Sequence, residues 1–183
     1  VKIEDGGPVI YTQTRIGKNG KPFKIYKFRS MVPDAEKRTG PVLAACTDPR
    51  VTRVGRFLRA ARLDELPQLI NVLFGQMSLV GPRPERPIFV KQYARSIPAY
   101  RQRHGIKPGI TGLAQVYGRY STDARDKLIY DLIYLQKCSL LTDLDILFRT
   151  IKILFLKTSA EGVDRQPHQP AAKNQWAEGS ASK

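Results

Sequence analysis

Cysteine is scarce in this 183-residue chain, which contains only Cys46 and Cys138. Two isolated cysteines provide neither a disulfide framework nor the ligand spacing of a metal site, so we expect a reducing compartment. The chain also lacks an apolar run of the roughly 18–20 residues that a membrane-spanning helix requires. No signal peptide is visible. Because the chain begins with Val1 rather than Met, we expect it to be a fragment of a longer protein.

Acidic residues are also few, since the chain has 31 Lys and Arg against 16 Asp and Glu and a net charge of +15. Residues 1–62 hold 14 basic and 5 acidic residues, whereas residues 143–183 hold 6 and 5. The positive field therefore belongs to the part expected to fold and not to a basic tail. Such a charge predicts anionic partners: nucleic acid, phosphorylated small molecules or an acidic membrane surface.

The length and a hydrophobic fraction of 42% suit one compact domain, which we place at residues 1–157. Two β-branched and aromatic segments, 8–15 and 22–28, flank the turn signal GKNGK and predict a β-hairpin. We expect a loop at 32–50, no regular structure in the Pro-rich segment SLVGPRPERP, and a loop or short strand at 107–119.

Helical periodicity predicts helices over 51–62, 68–77, 87–96, 98–104, 123–136 and 142–157. The predicted class is α+β, mainly helical, with a small antiparallel hairpin near the N-terminus and amphipathic helices at a membrane surface. The apolar stripe of the last helix is more often core than membrane contact, although Arg149 and Lys152 beside it keep an interfacial role open. Residues 158–183 have the composition of a disordered tail.

Asp64 and Glu65 form an adjacent carboxylate pair before a helical stretch. Asp64 is a predicted helix N-cap, with Pro67 in the first turn, and capping is the commoner role of such an Asp. The alternative is chemical. An ionised Asp can attack phosphorus to give an acyl phosphate, and a neighbouring Glu can bind Mg²⁺ together with substrate phosphates.

Basic residues surround this pair in the sequence, including Arg59 and Arg62 just before it. Arg83 is fixed between two prolines and Arg119 closes a Gly-punctuated loop, positions that suit bidentate phosphate contact. Surface solubility is the alternative for each of them. Lys27 alternates with aromatic neighbours on the second strand, which favours a solvated strand face. His104 has no partner His or Cys at metal spacing and is interpreted as structural or as a polar contact.

Three motifs occur in order: KIYKFRSM, RLDELPQLINVLFGQMSLVGPRPE and RHGIKPGITGLAQVYGR. Together they resemble the bacterial sugar transferase family, the monotopic polyprenyl-phosphate phosphoglycosyl transferases. The resemblance covers residues 7–157, and its middle motif is long and specific, whereas DE or GPRP alone would mean little. The later segment KLIYDLIYLQKCSLLTDLDILFRTIKIL resembles the members that make exopolysaccharide or capsule. Ser30 stands where the family frequently has Thr.

The resemblance implies an enzyme that moves a sugar phosphate from a UDP-sugar to polyprenyl (undecaprenyl) phosphate. In this family the Asp of the pair attacks the sugar-bearing phosphate and expels UMP, and the lipid phosphate then accepts the sugar phosphate. Carried onto this chain, Asp64 is the nucleophile, and Asp64 and Glu65 are the expected Mg²⁺ ligands. The phosphate-binding residues correspond to Lys27, Arg59, Arg83 and Arg119.

The resemblance also implies the cytoplasmic face of the bacterial inner membrane, an anionic membrane surface as partner, and an upstream hydrophobic helix that this chain does not include. Two other functions are considered: a basic nucleic-acid-binding module and a non-catalytic membrane-surface scaffold. No nucleic acid is expected, because no binding motif or stacking aromatics accompany the basic residues. The sequence does not identify the sugar and leaves a homo-oligomer open.

Overall fold

A computed structural model of the protein describes residues 2–36, 48–118 and 123–155. It confirms a predominantly helical α+β architecture with a small antiparallel sheet near the N-terminus. Arg119, Cys46 and the predicted tail 158–183 lie outside the described residues. The elements are α1 (Lys2–Asp5), β1 (Ile10–Ile16), β2 (Pro22–Phe28), α2 (Arg53–Ala60), α3 (Gln68–Leu73), β3 (Ser78–Val80), α4 (Pro87–Ser96), β4 (Gly109–Thr111), α5 (Leu113–Tyr117), α6 (Ala124–Lys137) and α7 (Leu140–Phe155).

The predicted hairpin is present as β1 and β2, which pair antiparallel from Ile10 opposite Phe28 to Ile16 opposite Pro22. The GKNGK segment forms a short 3₁₀ turn, in which Asn19 has φ 56°. Asn tolerates this left-handed conformation better than most residues. The turn predicted at GKNGK is therefore confirmed as the reversal between β1 and β2.

A second, parallel pair of strands was not predicted. Segment SLVGPRPERP was expected to have no regular structure, but its first three residues form β3, which pairs with β4. The pairing depends on glycine, because a Cβ on Gly109 would lie 2.1 Å from the backbone nitrogen of Gly81. The chain becomes irregular only after β3, where the prolines begin, and it stays irregular until α4. The prediction was wrong because a non-local strand partner cannot be read from a local pattern.

The predicted helices are largely confirmed as α2, α4, α6 and α7. Residues 98–104 instead form a 3₁₀ helix, Tyr100–Gly105. The helix expected over 68–77 is shorter, because α3 ends at Leu73 and Gly75 adopts φ 69°. A left-handed glycine just beyond the last turn is a common way to terminate a helix.

Helix α6 contributes to both buried clusters of the described residues. Tyr134 packs with Val80 and Ile146 in one cluster, and Leu128 packs with Ile97 and Tyr100 in the other. Between them these contacts attach α6 to β3, to α7 and to the segment that follows α4. Helix α6 therefore contacts the chain before the Pro-rich segment, at β3, and again after α4.

The apolar stripe of α7 mostly faces outward, so its interpretation as core was wrong. Ile146 is fully buried, but Leu144, Phe148 and Ile151 are exposed, with 70% of Phe148 accessible. The end of α3 is similarly apolar and open, since Leu73 is 85% exposed. Among residues 2–36, 48–118 and 123–155, no helix is long and apolar enough to cross a bilayer.

Candidate active site

Asp64 and Glu65 lie in a 3₁₀ turn, Leu63–Glu65, between α2 and α3. The turn follows Arg62, whose φ of 54° is left-handed and unusual for a long side chain. The predicted N-cap role of Asp64 was wrong, because α3 begins only at Gln68, after Pro67. The chain tightens into the 3₁₀ turn before Pro67, so Asp64 is too far upstream to reach the free N–H groups of α3.

Glu65 is held by two cations from distant parts of the chain. Its Oε1 accepts a hydrogen bond of 2.8 Å from Lys27 Nζ and another of 2.6 Å from Arg83 Nη2. Its Oε2 accepts only a long bond of 3.4 Å from Arg83 Nη1. The fold thus brings together β2, the turn before α3 and the Pro-rich segment after β3.

Electrostatics in this cluster favour the ionised form of Glu65. Burial alone would raise its pKa, but the charges and hydrogen bonds of Arg83 and Lys27 outweigh burial and hold the pKa far below its ordinary value. The negative charge of Glu65 in turn raises the pKa of Arg83. Burial lowers the pKa of Lys27, and Glu65 offsets this only in part. A solvated strand face, the favoured interpretation of Lys27, was therefore wrong.

Asp64 differs sharply from its neighbour. Within the described part of the chain its carboxylate accepts no hydrogen bond and forms no ion pair. Burial, and then the charge of Glu65, raise its pKa above the ordinary value, while Lys27, Arg59 and Arg83 pull in the opposite direction. A half-buried carboxylate without a partner, surrounded by cations, is available to react with an anionic substrate.

Arg59 approaches the site from α2 without contacting either carboxylate. Its Nε donates a hydrogen bond of 2.8 Å to Ser30 Oγ, just beyond the end of β2. Helix α2 lies very close to this strand end, since a Cβ on Gly55 would be 2.0 Å from the carbonyl oxygen of Ser30. The charge of Arg59 is near enough to lower the pKa of Asp64.

Arg103 and Asp131 support the site from behind and were missed in the sequence. They form a buried ion pair of 2.7 Å, and Arg103 Nη2 also donates 2.9 Å to the backbone carbonyl oxygen of Arg83. Burial raises the pKa of Asp131, and the charge of Arg103 only partly offsets this. Arg103 is the first residue of the RHGIKPG motif, but no local pattern links it to Asp131, 28 positions away.

Asn71 is a second residue that the sequence analysis passed over. It is fully buried in α3, where its Nδ2 donates to the carbonyl oxygen of Lys24 and its Oδ1 accepts from the backbone nitrogen of Tyr26. These bonds attach α3 to β2 at Lys24 and Tyr26, just before Lys27, which reaches Glu65. A polar residue within an otherwise apolar helical run was the available signal.

His104 agrees with its structural interpretation. Its ring lies edge-on to Tyr100 with centroids 6.3 Å apart, and burial lowers the pKa of His104 to about 4. The described residues contain no group of three or more His, Cys, Asp and Glu side chains that could hold a metal ion. Of the predicted site residues, the structure brings Lys27, Glu65 and Arg83 into contact and places Asp64 and Arg59 beside them.

The sequence matches a family model described as bacterial sugar transferase over residues 1–157. The chain belongs to the bacterial sugar transferase family. Among its relatives is an Aeromonas hydrophila protein, UDP-N-acetylgalactosamine-undecaprenyl-phosphate N-acetylgalactosaminephosphotransferase, with 48% identity over 84% of this chain and 37% of that protein. A Klebsiella pneumoniae UDP-glucose:undecaprenyl-phosphate glucose-1-phosphate transferase is 49% identical over 87% of this chain and 35% of that protein.

A third relative is matched over most of its length. It is the exopolysaccharide production protein PSS of Rhizobium leguminosarum bv. phaseoli, 45% identical over 82% of this chain and 80% of that protein. By contrast, the chain spans little more than a third of the length of the Aeromonas and Klebsiella relatives. Their names differ in the sugar, so membership of the family leaves the sugar open.

Proposed function

We propose that this chain transfers a sugar 1-phosphate from a UDP-sugar to polyprenyl phosphate through a covalent intermediate on Asp64, as the first step of exopolysaccharide, capsule or related glycan assembly. One observation carries the proposal: Asp64 is an unpaired carboxylate next to Glu65, which Lys27 and Arg83 hold in place. The names of the Aeromonas and Klebsiella relatives support the substrate classes.

In the first step an Asp64 oxygen attacks the phosphorus that carries the sugar. The new bond joins the carboxylate oxygen to phosphorus, and the bond from phosphorus to the bridging diphosphate oxygen breaks, so UMP leaves with that electron pair. The cations around Glu65 offset the repulsion between the carboxylate and the diphosphate, and they stabilise the negative charge of transfer.

In the second step an oxygen of the polyprenyl phosphate attacks the same phosphorus. The bond to Asp64 breaks and the carboxylate is regenerated, so the product is a polyprenyl diphosphate sugar. No proton is required if the lipid phosphate reacts as an anion. The same cationic surroundings serve both steps, because each brings an anionic nucleophile, first a carboxylate and then a phosphate, to phosphorus.

Asp64 and Glu65 are proposed to hold Mg²⁺ together with the substrate diphosphate. The residues fit this ion, because Asp64 is unpaired and Oε2 of Glu65 accepts only a 3.4 Å hydrogen bond. Mg²⁺ is commonly bound through one or two carboxylates plus substrate phosphates. When bound it would neutralise charge on the diphosphate. Arg59 and Arg119 remain proposed phosphate-binding residues.

Exposed apolar residues at the end of α3 and on α7 support a proposed location at a membrane surface. We propose that this surface is the cytoplasmic face of the inner membrane, as the family resemblance implies. Leu73, Phe74 and Phe148 are each at least 70% exposed, an arrangement suited to the interface between headgroups and acyl chains. The net charge of +15 would add attraction to anionic lipids.

Intact-mass spectrometry tests the enzymatic proposal. The chain is incubated with Mg²⁺ and a panel of UDP-sugars, and a sugar-phosphate adduct is expected on Asp64 with release of UMP. Asp64→Asn should form none, whereas Asp126→Asn, which changes an exposed carboxylate in α6, should form the adduct normally. Absence of both adduct and UMP with every sugar nucleotide would overturn the proposal.

A further inference from the structure

Four consecutive backbone carbonyl oxygens of the Pro-rich segment each accept a hydrogen bond from another part of the chain. The four bonds, of 2.9–3.2 Å, run from Gly109 N to Pro82 O, from Arg103 Nη2 to Arg83 O, from Arg15 Nη1 to Pro84 O and from Ile16 N to Glu85 O. Since proline has no N–H group, this segment cannot pair its own backbone as a helix does. Its conformation is therefore set by donors that lie outside it.

Two of these donors, Arg15 and Ile16, belong to the end of β1, in the same hairpin that carries Lys27. Lys27 Nζ and Arg83 Nη2 both bond to Oε1 of Glu65, at 2.8 and 2.6 Å. The hairpin thus supplies one cation directly and holds the backbone next to the other. The spacing of the two cations across Glu65 depends on this double attachment.

The Arg15 side chain is mostly buried, with 19% of it exposed. Its Nη2 donates 2.7 Å to Gln13 Oε1, and its Nη1 lies 3.7 Å from Glu85 Oε2 as well as 3.2 Å from Pro84 O. Burial lowers the pKa of Arg15 to about 10, so the group stays charged at neutral pH. Its Nε is buried and has no hydrogen-bond partner among the described residues. A cation buried in this way adds little to stability, so Arg15 is better explained by what it holds.

Packing leaves the Pro-rich segment little freedom to shift against the hairpin. The cavity between them has a volume of about 10 Å³, and its walls include Ile16, Gly17, Pro84 and His104. That is about the space of one water molecule. A movement of the segment would therefore also require a movement of the end of β1.

We propose that Arg15 is a positioning residue of the transfer reaction, which holds the backbone at Pro84 and thereby keeps the Arg83 guanidinium on Glu65. The inference rests on the function proposed above and adds to it a residue that touches neither carboxylate of the site. Arg103 anchors the preceding carbonyl oxygen from a different element. The loss of Arg15 should therefore loosen the segment without releasing it.

Kinetics of Arg15→Met test this role, because the variant removes the donor to Pro84 and leaves the groups that react in place. Single-turnover UMP release is measured well below the melting temperature, with a UDP-sugar that forms the adduct in the wild type. The rate should fall about 10- to 100-fold. The matched control is Lys24→Met, which removes an exposed cation from the same hairpin and should leave the rate unchanged. A wild-type rate in Arg15→Met overturns the inference.

Nuclear magnetic resonance of arginine side chains reports on Arg83 without any substrate. The full chain is labelled with ¹⁵N-arginine, and the Arg83 guanidinium signals are those absent from Arg83→Met. Because the bonds to Glu65 restrict rotation of this group, the wild type and Lys24→Met should give separate Nη1 and Nη2 signals. In Arg15→Met these signals should merge. A loss of rate with unchanged Arg83 signals would overturn the inference, because the effect would not pass through Arg83.

A milder variant, Arg15→Lys, serves if Arg15→Met does not fold. The ammonium group keeps a charge near Glu85 but cannot reproduce the guanidinium fork that joins Gln13 to Pro84. The rate should fall about tenfold, and the Arg83 signals should change in the same direction as in Arg15→Met. A wild-type rate or wild-type Arg83 signals in this variant would count against the positioning role as decisively.

The two measurements separate failure of this inference from failure of the proposed function. If the wild type forms no adduct and releases no UMP with any UDP-sugar, the proposed function fails, and the Arg83 signals alone decide whether Arg15 holds Arg83 in place. If the wild type forms the adduct and Arg15→Met reacts at the same rate, the proposed function stands and the role of Arg15 is overturned.

Discussion

Arg103 donates a hydrogen bond of 2.9 Å from Nη2 to the backbone carbonyl oxygen of Arg83. The same guanidinium forms a buried ion pair with Asp131 of α6. The backbone of the Pro-rich segment is thus tied to a helix that belongs to both buried clusters. Arg103 does not touch Glu65, so we assign it a positioning role that acts through Arg83.

Two replacements of Arg103 should separate its effect on the placement of Arg83 from its effect on the stability of the folded protein. In Arg103→Lys a cation still faces Asp131, but one ammonium group cannot reproduce the guanidinium fork that also reaches Arg83. The rate of adduct formation should fall about 10- to 100-fold, because small misplacements of binding groups have such effects. Arg103→Met should instead cost about 3–5 kcal/mol of unfolding free energy, since it leaves Asp131 buried without a partner.

Single-turnover UMP release and urea unfolding measure these two effects. Arg101→Lys is the matched control, because Arg101 lies in the same 3₁₀ helix and is exposed. It should change neither quantity. A wild-type rate in Arg103→Lys would contradict the positioning role.

Arg83 should matter far more than a neighbouring arginine. Arg83→Met leaves Glu65 with Lys27 alone and removes a cation from the site, so adduct formation should fall about 100- to 1,000-fold, as for the loss of one donor from an oxyanion site. Arg86→Met is the control, since Arg86 follows three residues later and pairs with Glu36. Equal losses of UMP release in the two variants would contradict a specific role for Arg83.

The sequence predicts those features of this fold that depend on neighbours in the chain. The GKNGK turn gives the hairpin, and the 3.6-residue period gives α2, α4, α6 and α7. The parallel pairing of β3 with β4 needs a partner about 30 positions away and the close approach of Gly81 to Gly109. No local pattern contains that information.

The candidate site likewise has features that local motifs predict and features that depend on residues far apart in the chain. The motifs select Lys27, Asp64 and Glu65, but not their arrangement, because Lys27 and Glu65 meet across 38 positions. Strand alternation gives the side of β2 on which Lys27 lies, yet it cannot show that another element covers that side. Asn71 and the Arg103–Asp131 pair act through contacts that exist only after folding. The sequence therefore predicts which groups react better than it predicts what holds them.

The raised pKa of Asp64 predicts how activity falls at low pH, which is the acid limb of the pH–rate profile. Burial and the charge of Glu65 raise this pKa, so Asp64 becomes protonated at a higher pH than an ordinary Asp, whose pKa is about 3.9. Only the ionised carboxylate can attack phosphorus. Activity should therefore be full above the raised pKa and should fall as pH decreases through it, at a higher pH than for an ordinary Asp.

Arg59 provides the test of that assignment, because its charge lowers the pKa of Asp64. In Arg59→Met the acid limb of kcat/KM for UMP release should move to higher pH, in addition to any loss of rate. Arg56→Met changes an exposed arginine of the same helix and should leave the limb in place. A limb that stays fixed in Arg59→Met would assign it to a group other than Asp64.

Asn71 should be indispensable for the attachment of α3 to β2. Its Nδ2 donates 2.8 Å bonds to the carbonyl oxygen of Lys24 and to Gln76 Oε1. Asn71→Asp keeps the shape but places an acceptor against two acceptors, which should cost about 1–3 kcal/mol or more of unfolding free energy at neutral pH. The control Asn19→Asp changes an exposed turn residue with φ 56°, a conformation that Asp also tolerates.

The pH dependence of the Asn71→Asp effect identifies its cause. Repulsion between the introduced carboxylate and the two oxygens raises the pKa of that carboxyl in the folded state above its unfolded value. The folded protein then binds the proton more tightly, so the stability lost at neutral pH should be partly recovered as pH falls through the raised pKa. Urea unfolding of the variant and the wild type at matched pH values measures the difference. A difference that does not depend on pH would place the defect in packing rather than in the lost donor.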